Sequence, residues 1–398
     1  FSPTARYGKP EELKSFVDQC HQAGIGVILD FVPVHFAVND YALAEYDGTA
    51  LYEYPNMAVG RNEWGSCNFM HSRGEVCSFL QSSAYYWLRE FHFDGLRMDA
   101  VGNLIYWQGD ANRGENLAAL KFIRTMNQGL KERVPECLLF AEDSTPYQGV
   151  TKAVWEGGLG FDYKWDLGWM HDTLSYFQAD ANERREKYHK LTFSMMYYYN
   201  ERYILPLSHD EVVHGKATIA QKMNGGYDGK FPQARAFYMY MYAHPGAKLN
   251  FMGNELAQLK EWCEKDELDW ILLKFPIHEA FHKFMADLNK CYLTNNAFYQ
   301  RDIRQDGFEW VDCHQEQKCM YLFERISGDQ KILAVFNFSD ETQEYTLEKD
   351  YAGYELLLAS DMVKYGGKKR YTKKEKEIKG GKAVFKMGPF SARYYLVK

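Results

Sequence analysis

The chain has 398 residues, with 47 basic and 54 acidic side chains and a formal charge of −7. That balance speaks against a nucleic-acid scaffold, which needs a basic face, and no apolar run reaches the length of a membrane span. Aromatic residues make up 16% of the chain, enough to fill a large core and also to offer flat apolar surfaces to a pyranose ring.

Taken in order, "PEELKSFVDQCHQAG" reads as a helix, with Pro10 at its start, Leu13, Phe16, Val17 and Cys20 on one face, and Gly24 as its stop. "GVILDF" follows as a buried strand. Val76, Phe79, Leu80, Trp87 and Phe91 mark a second amphipathic helix, which leads into "FDGLRMD" (93–99), a strand pattern with two charges set into it. A third helix carries Ala119, Leu120, Ile123, Met126 and Leu130 and precedes the strand "LLFAED". "FDYKWD" (161–166), "YILPLSHD" (203–210) and "KLNFMGNE" (248–255) are further strands, and a last long helix carries Phe281, Phe284, Met285, Leu288 and Tyr292. Repeated strand–helix units predict a parallel sheet with helices outside it.

Each of these apolar strands ends in an acid: Asp30, Asp99, Glu142 with Asp143, Asp166, Asp210 and Glu255. A parallel barrel gathers all its C-terminal strand ends into one mouth, where catalytic groups collect. A doubly wound sheet gathers them less completely, and neither "GGLGFD" nor "GGYDGK" has the spacing of a phosphate loop. The expected fold is therefore α/β: a TIM-type (β/α)8 barrel over residues 1–300. Only six strand positions are visible and "FSPTARYG" reads as a loop after a strand, so the first two strands are expected to be missing from this chain. After residue 300 the pattern turns to short alternating strands, from "GFEWVDCH" to "SARYYLVK", which predicts a C-terminal antiparallel β-sandwich over 301–398. Within it, the basic run 368–382 also carries glutamates and reads as a solvated loop or hairpin.

Eight scattered cysteines form no CxxC pair, so zinc and redox roles are weak and a reduced, cytoplasmic setting is expected. "LSHDEVVHGK" is not HExxH, and its histidines sit in a strand-to-loop context, so no metal site is expected there.

Arg97 and Asp99 are two residues apart, hence on one face of a strand. At a barrel mouth Arg97 can hold Asp99 ionised, as a nucleophile toward an anomeric carbon must be. A buried ion pair that only fixes the strand fits equally well. Glu142 offers the second carboxylate that retaining glycosidases and transglycosylases need, roughly 5–5.5 Å from the first. Asp143, just before "STP", better suits a turn cap. His209 and Asp210 lie at another strand end, and "DFVPVH" adds Asp30 and His35 to the same rim.

In this order, "DFVPVH", "GLRMDAV", "FAEDS" and "LSHDEVVHGK" resemble the four sequence regions of the α-amylase superfamily of glycoside hydrolases (family 13), and within it the glycogen (1,4-α-glucan) branching enzymes. "HPGAKLNFMGNE" and "AEYDGTALYEY" extend the likeness to nearly the whole chain. The resemblance implies Asp99 as nucleophile, Glu142 as acid and base, and Asp210 as transition-state stabiliser. Arg97, His35 and His209 would orient Asp99 and the sugar hydroxyls, and Asp30 would be a carboxylate of the rim. It further implies a transglycosylase acting on α-1,4-glucans such as glycogen, amylose or amylopectin, a monomer with neither cofactor nor metal, nucleic acid nor membrane. An amylase-type hydrolase and a non-catalytic glucan-binding scaffold are the alternatives. The intact triad speaks against the scaffold.

Overall fold

The computed structural model describes residues 1–349, 351–381 and 383–398. They form two compact units, Phe1–Asp166 with Asn200–Tyr203, and Leu167–Tyr199 with Ile204–Lys398.

The first unit holds four parallel strands, β1 (Ile28–Phe31), β2 (Gly95–Met98), β3 (Leu138–Ala141) and β4 (Tyr163–Trp165), each hydrogen-bonded to the next in chain order. Helix α1 (Pro10–Gln22) precedes β1, α2 (Gly74–Glu90) lies between β1 and β2, and α3 (Leu117–Arg133) between β2 and β3. Pro10 and an acidic first turn start α1, where Glu12 reaches back to accept the Lys9 N–H at 2.6 Å. Asn116 caps α3 by accepting the Ala119 N–H, and the five apolar positions expected on that helix are all buried.

The apolar face of α1 is the exception, because Val17 is buried whereas Phe16 is 56% exposed. A short antiparallel ladder between His35–Phe36 and Cys67–Asn68 is an addition that periodicity does not announce. β2 is buried along its whole length, and a side chain at Gly95 would meet the Leu138 carbonyl at 2.3 Å. Only glycine lets β3 approach so closely there.

β5 (Tyr203–Leu207), all but its first residue in the second unit, pairs in parallel with β6 (Ala247–Asn250). The helices are α4 (Leu167–Gln178), α5 (Tyr227–Ala243) and α6 (Pro276–Leu293). From Gln233 to Ala243 every residue of α5 is buried, so this helix is enclosed on all sides. On α6 the expected Phe281, Phe284, Met285 and Leu288 are buried.

The C-terminal strands are β7 (Phe308–Gln315), β8 (Met320–Ser327), β9 (Gln330–Asn337), β10 (Gln343–Thr346), β11 (Tyr351–Ala359), β12 (Glu377–Gly381), β13 (Val384–Met387) and β14 (Ser391–Val397). Six form an antiparallel sheet in the order β12-β11-β14-β9-β8-β7, and β10 pairs with β13. Alternation serves two cores. Leu322, Leu333, Val335 and Tyr395 pack with Phe385 and Met387, while Tyr321, Phe323, Ala334, Phe336 and Tyr394 join the core that contains α4, α5 and α6. The basic run lies partly in β12, the edge strand, and its last residue, Lys382, lies outside the described residues.

Candidate active site

The strand pairing of the first unit explains how its acids meet. β1 and β2 place Asp30 beside Arg97, and β2 and β3 place Met98 beside Ala141, so Asp99 and Glu142 leave their strands at the same level. The Glu142 N–H donates to the Met98 carbonyl at 3.0 Å. Beyond Asp99 the chain turns sharply through Ala100, whose φ of 46° lies in the left-handed region, into a short helix Val101–Ile105. That turn aims the Ala100 N–H at Glu142 Oε2, 3.0 Å away.

One guanidinium ties the cluster together. Arg97 donates through Nη1 to Asp99 Oδ1 at 3.0 Å and through Nη2 to Glu142 Oε2 at 2.6 Å. Asp30 Oδ2 lies 3.6 Å from Nη1. The Arg97 side chain is 8% exposed and sits over the Trp165 ring, 4.6 Å from its centroid, where the ring face favours a cation. Such short, charge-assisted contacts fix the position of both carboxyls. Asp30, at 67% side-chain exposure, is the wettest of the three acids and Glu142, at 16%, the driest.

His35 completes the group, with Nε2 at 4.0 Å from Asp99 Oδ2. Burial pushes its imidazole below the ordinary histidine value, against the opposing pull of Asp99, so the ring is neutral at pH 7. Trp64, 57% exposed, faces the His35 ring at 5.5 Å. Five of the expected residues, Asp30, His35, Arg97, Asp99 and Glu142, thus form one cluster in the first unit.

His209 and Asp210 lie in the second unit, in the turn that follows β5. His209 Nε2 is 3.4 Å from Asp210 Oδ1, and the His209 ring packs against Phe251 and Trp262. The loop after them is tied down by Glu261, which accepts the N–H groups of Gly215 and Ala217 at 2.9 and 2.7 Å. Lys222 donates to the carbonyls of Glu211 and Ala217.

Two other acids at strand ends are engaged by their own surroundings. Asp143 is buried, pairs with the buried Lys164 at 2.8 Å and accepts the Thr145 N–H, so it is the turn cap that its place before "STP" implies. Glu255 accepts the Gly253 N–H. Trp165 and Trp64 escape a search for acids and histidines. Trp165 is legible only as the last residue of a strand that also ends in an acid.

Comparison with known proteins adds the following. Residues 310–398 match the family described as "Alpha amylase, C-terminal all-beta domain". Over 383 residues the chain is 43% identical to 1,4-alpha-glucan branching enzyme GlgB of Oceanobacillus iheyensis, and over 373 residues 45% identical to that of Fusobacterium nucleatum subsp. nucleatum. Each match takes in 92% of this chain and 60% of the relative, so the chain spans about three fifths of the length of the curated relatives it matches.

Among solved structures, the alpha-amylase from Geobacillus thermoleovorans complexed with acarbose matches 100% of this chain and 83% of its own, with a TM-score of 0.69 and 15% identity. The pullulanase from Anoxybacillus sp. LM18-11 complexed with maltotetraose matches 97% of this chain and 56% of its own, with a TM-score of 0.70 and 14% identity. The fold is accordingly part of a TIM-type (β/α) barrel followed by an antiparallel β-domain. By sequence the chain is thus similar over 92% of its length to 1,4-alpha-glucan branching enzymes, and its residues 310–398 match the alpha-amylase C-terminal domain.

Proposed function

We propose that this chain is the catalytic part of a 1,4-α-glucan branching enzyme, with residues 1–300 carrying the chemistry and 301–398 a C-terminal β-domain. The reaction cleaves an α-1,4-glucan and passes the freed segment to a 6-hydroxyl, creating an α-1,6 branch. The observation that carries this reading is the single guanidinium shared by Asp99 and Glu142. It gathers on one cation the two carboxyls that a retaining mechanism needs.

In the first step Asp99 attacks C1 while Glu142 gives a proton to the glycosidic oxygen. The C1–O bond breaks, the reducing-end portion leaves as an alcohol, and a β-linked glucosyl ester forms on Asp99. In the second step Glu142, now a carboxylate, takes the proton of an acceptor 6-hydroxyl, whose oxygen displaces Asp99 from C1. Two inversions restore the α configuration. Asp210 stabilises the oxocarbenium-like transition state, His35 and His209 donate to sugar hydroxyls, and Arg97 with Asp30 fixes Asp99. Every step is carried by side chains. A cytoplasmic location belongs to the same reading and is supported by eight unpaired cysteines.

The test is proton NMR of linear amylose treated with the full-length protein. Growth of the α-1,6 anomeric signal without matching growth in reducing ends is expected, and reducing ends rising alone would overturn transfer in favour of hydrolysis. Asp99→Asn and Glu142→Gln are each expected to lower transfer roughly 10³-fold or more with the fold intact. Substantial branching in either variant would remove that residue from its role.

A further inference from the structure

His209 and Asp210 are carried by a single 3-10 turn, His209–Val212, and their side chains are 37% and 46% exposed. A turn this short is not stable by itself, and side chains so open to solvent are placed by their backbone rather than by packing. Three groups from elsewhere in the second unit fix that backbone. The buried Lys222 donates to the carbonyl of Glu211, the residue after Asp210, and to the Ala217 carbonyl at 2.6 Å. The Trp262 N–H donates to the Val212 carbonyl at 3.0 Å, and the Trp262 ring stands edge to face with His209 at 6.3 Å. Glu261 accepts one N–H on each carboxylate oxygen, Gly215 on Oε2 and Ala217 on Oε1.

What Glu261 holds is a strained loop. Within four residues His214, Gly215 and Ala217 take φ of 57°, 77° and 65°. Glycine adopts that region freely, but an L side chain disfavours it, so the loop persists only where its surroundings over-determine it. His214, Gly215 and Lys216 are exposed and gain nothing from packing. The bonds from Gly215 and Ala217 hold the Glu261 carboxyl below the usual carboxylate range, so at neutral pH it is ionised and both oxygens accept. With His214 and Ala217 relaxed to negative φ, the chain leaving Val212 would take another direction, and the turn that carries Asp210 would move with it.

We propose that Glu261 is a positioning residue for the transfer reaction, which holds the loop after Val212 in its left-handed form and thereby keeps Asp210 and His209 at the sugar ring. The inference rests on the branching-enzyme reading, in which Asp210 stabilises the transition state. Glu261 acts through the backbone and touches no substrate. A carboxylate that served stability alone would lower the melting temperature without slowing turnover. A loop that itself gripped the glucan would act on KM rather than on kcat.

The test measures kcat and KM for amylose branching by the full-length protein, per folded molecule. Glu261→Ala is expected to lower kcat about 10²-fold with KM within about twofold, the scale of a misplacement of about 1 Å. Glu261→Gln keeps the shape and one acceptor oxygen and should lose about tenfold. In the Glu261→Gln background, Ala217→Gly should restore about fivefold, because glycine holds the left-handed form unaided and keeps the N–H. If Glu261→Ala fails to fold, Glu261→Gln with and without Ala217→Gly carries the test. An unchanged kcat beside a lower melting temperature makes Glu261 structural and overturns the proposal, as does a raised KM at unchanged kcat. A double variant no faster than Glu261→Gln overturns it as well, since strain in the loop is then not what the carboxylate holds. A parent that does not branch amylose overturns the branching-enzyme reading and this inference with it, whereas a parent that branches beside an equally active Glu261→Ala overturns this inference alone.

Discussion

Arg97 in the first unit and Arg325 in the second are both buried, yet their partners differ in kind. Arg325 is fully buried and spends its donors on the backbone, with Nε on the Gly307 carbonyl at 3.2 Å and Nη1 on the Ala243 carbonyl at 2.8 Å, plus one carboxylate, Asp302. Arg97 instead faces three carboxylates and an indole ring. A cation whose work is to hold chain segments together is satisfied by fixed carbonyls. Gathering several acids at one strand end concentrates titratable groups that must repel one another without it, which is an arrangement for chemistry.

Exchanging each arginine for methionine should separate the two roles most sharply. Arg97→Met is expected to lower transfer by roughly 10²–10⁴-fold, because it removes the donor that aims Asp99 and Glu142. Melting temperature should change little. An Arg97→Met protein that unfolds early yet turns over normally per folded molecule would make Arg97 a second Arg325.

Arg325→Met should show the reverse. Two buried carbonyls and Asp302 would lose their donor in the interior, at a cost of about 3–5 kcal/mol. Urea titration would report this as a lower midpoint, with activity of the remaining folded protein unchanged. A loss of turnover larger than the loss of folded protein would contradict the division.

Histidines offer the same contrast at smaller amplitude. His71 is buried, sits 5.0 Å from the Phe122 ring, and has Nε2 2.8 Å from the Pro33 carbonyl. Burial pushes it down to about 4. Its folded pKa is below the unfolded value near 6.5, so the unfolded chain binds the extra proton first and folding weakens as pH falls from about 6.5 to about 4, by roughly 3 kcal/mol in all. Above 6.5 this contribution is fully present. His71→Gln should flatten that slope in denaturation curves taken at successive pH values. A slope that persists would shift the acid sensitivity to other groups.

Much of this contrast was legible in the sequence, but unevenly. "FDGLRMD" announced a buried strand with two charges on one face, α3 buries every apolar position that its periodicity predicts, and α6 buries all but Tyr292, which is half-buried. Whether Arg97 was catalytic or merely structural could not be read from its spacing to Asp99. The answer depends on Glu142, 45 residues away, and on the parallel register that aligns β2 with β3. Register is set by side chains across the sheet, not by any one strand. For the same reason Lys164 gave no sign of its pairing with Asp143. The enclosure of α5 and the exposure of Phe16 follow from what packs around each helix, which a hydrophobic stripe does not specify.

The smallest effect falls on the turn between Arg97 and its second acid. Ala100 holds φ at 46°, a conformation that costs an L-residue roughly 1 kcal/mol and that glycine adopts freely. Its N–H, not its methyl group, reaches Glu142. Ala100→Gly should therefore relieve strain while loosening the unfolded chain, leaving stability within about 1 kcal/mol of the parent. Transfer should remain within about threefold, since the N–H is retained. Ala100→Val, with a branched side chain in the left-handed region, should lower the melting temperature and displace that N–H, so transfer falls with it. The informative quantity is the ratio of the two rates at equal folded fraction. If Ala100→Gly falls as far as Ala100→Val, a rigid turn rather than the N–H itself positions Glu142, and the short helix after β2 becomes part of the catalytic framework.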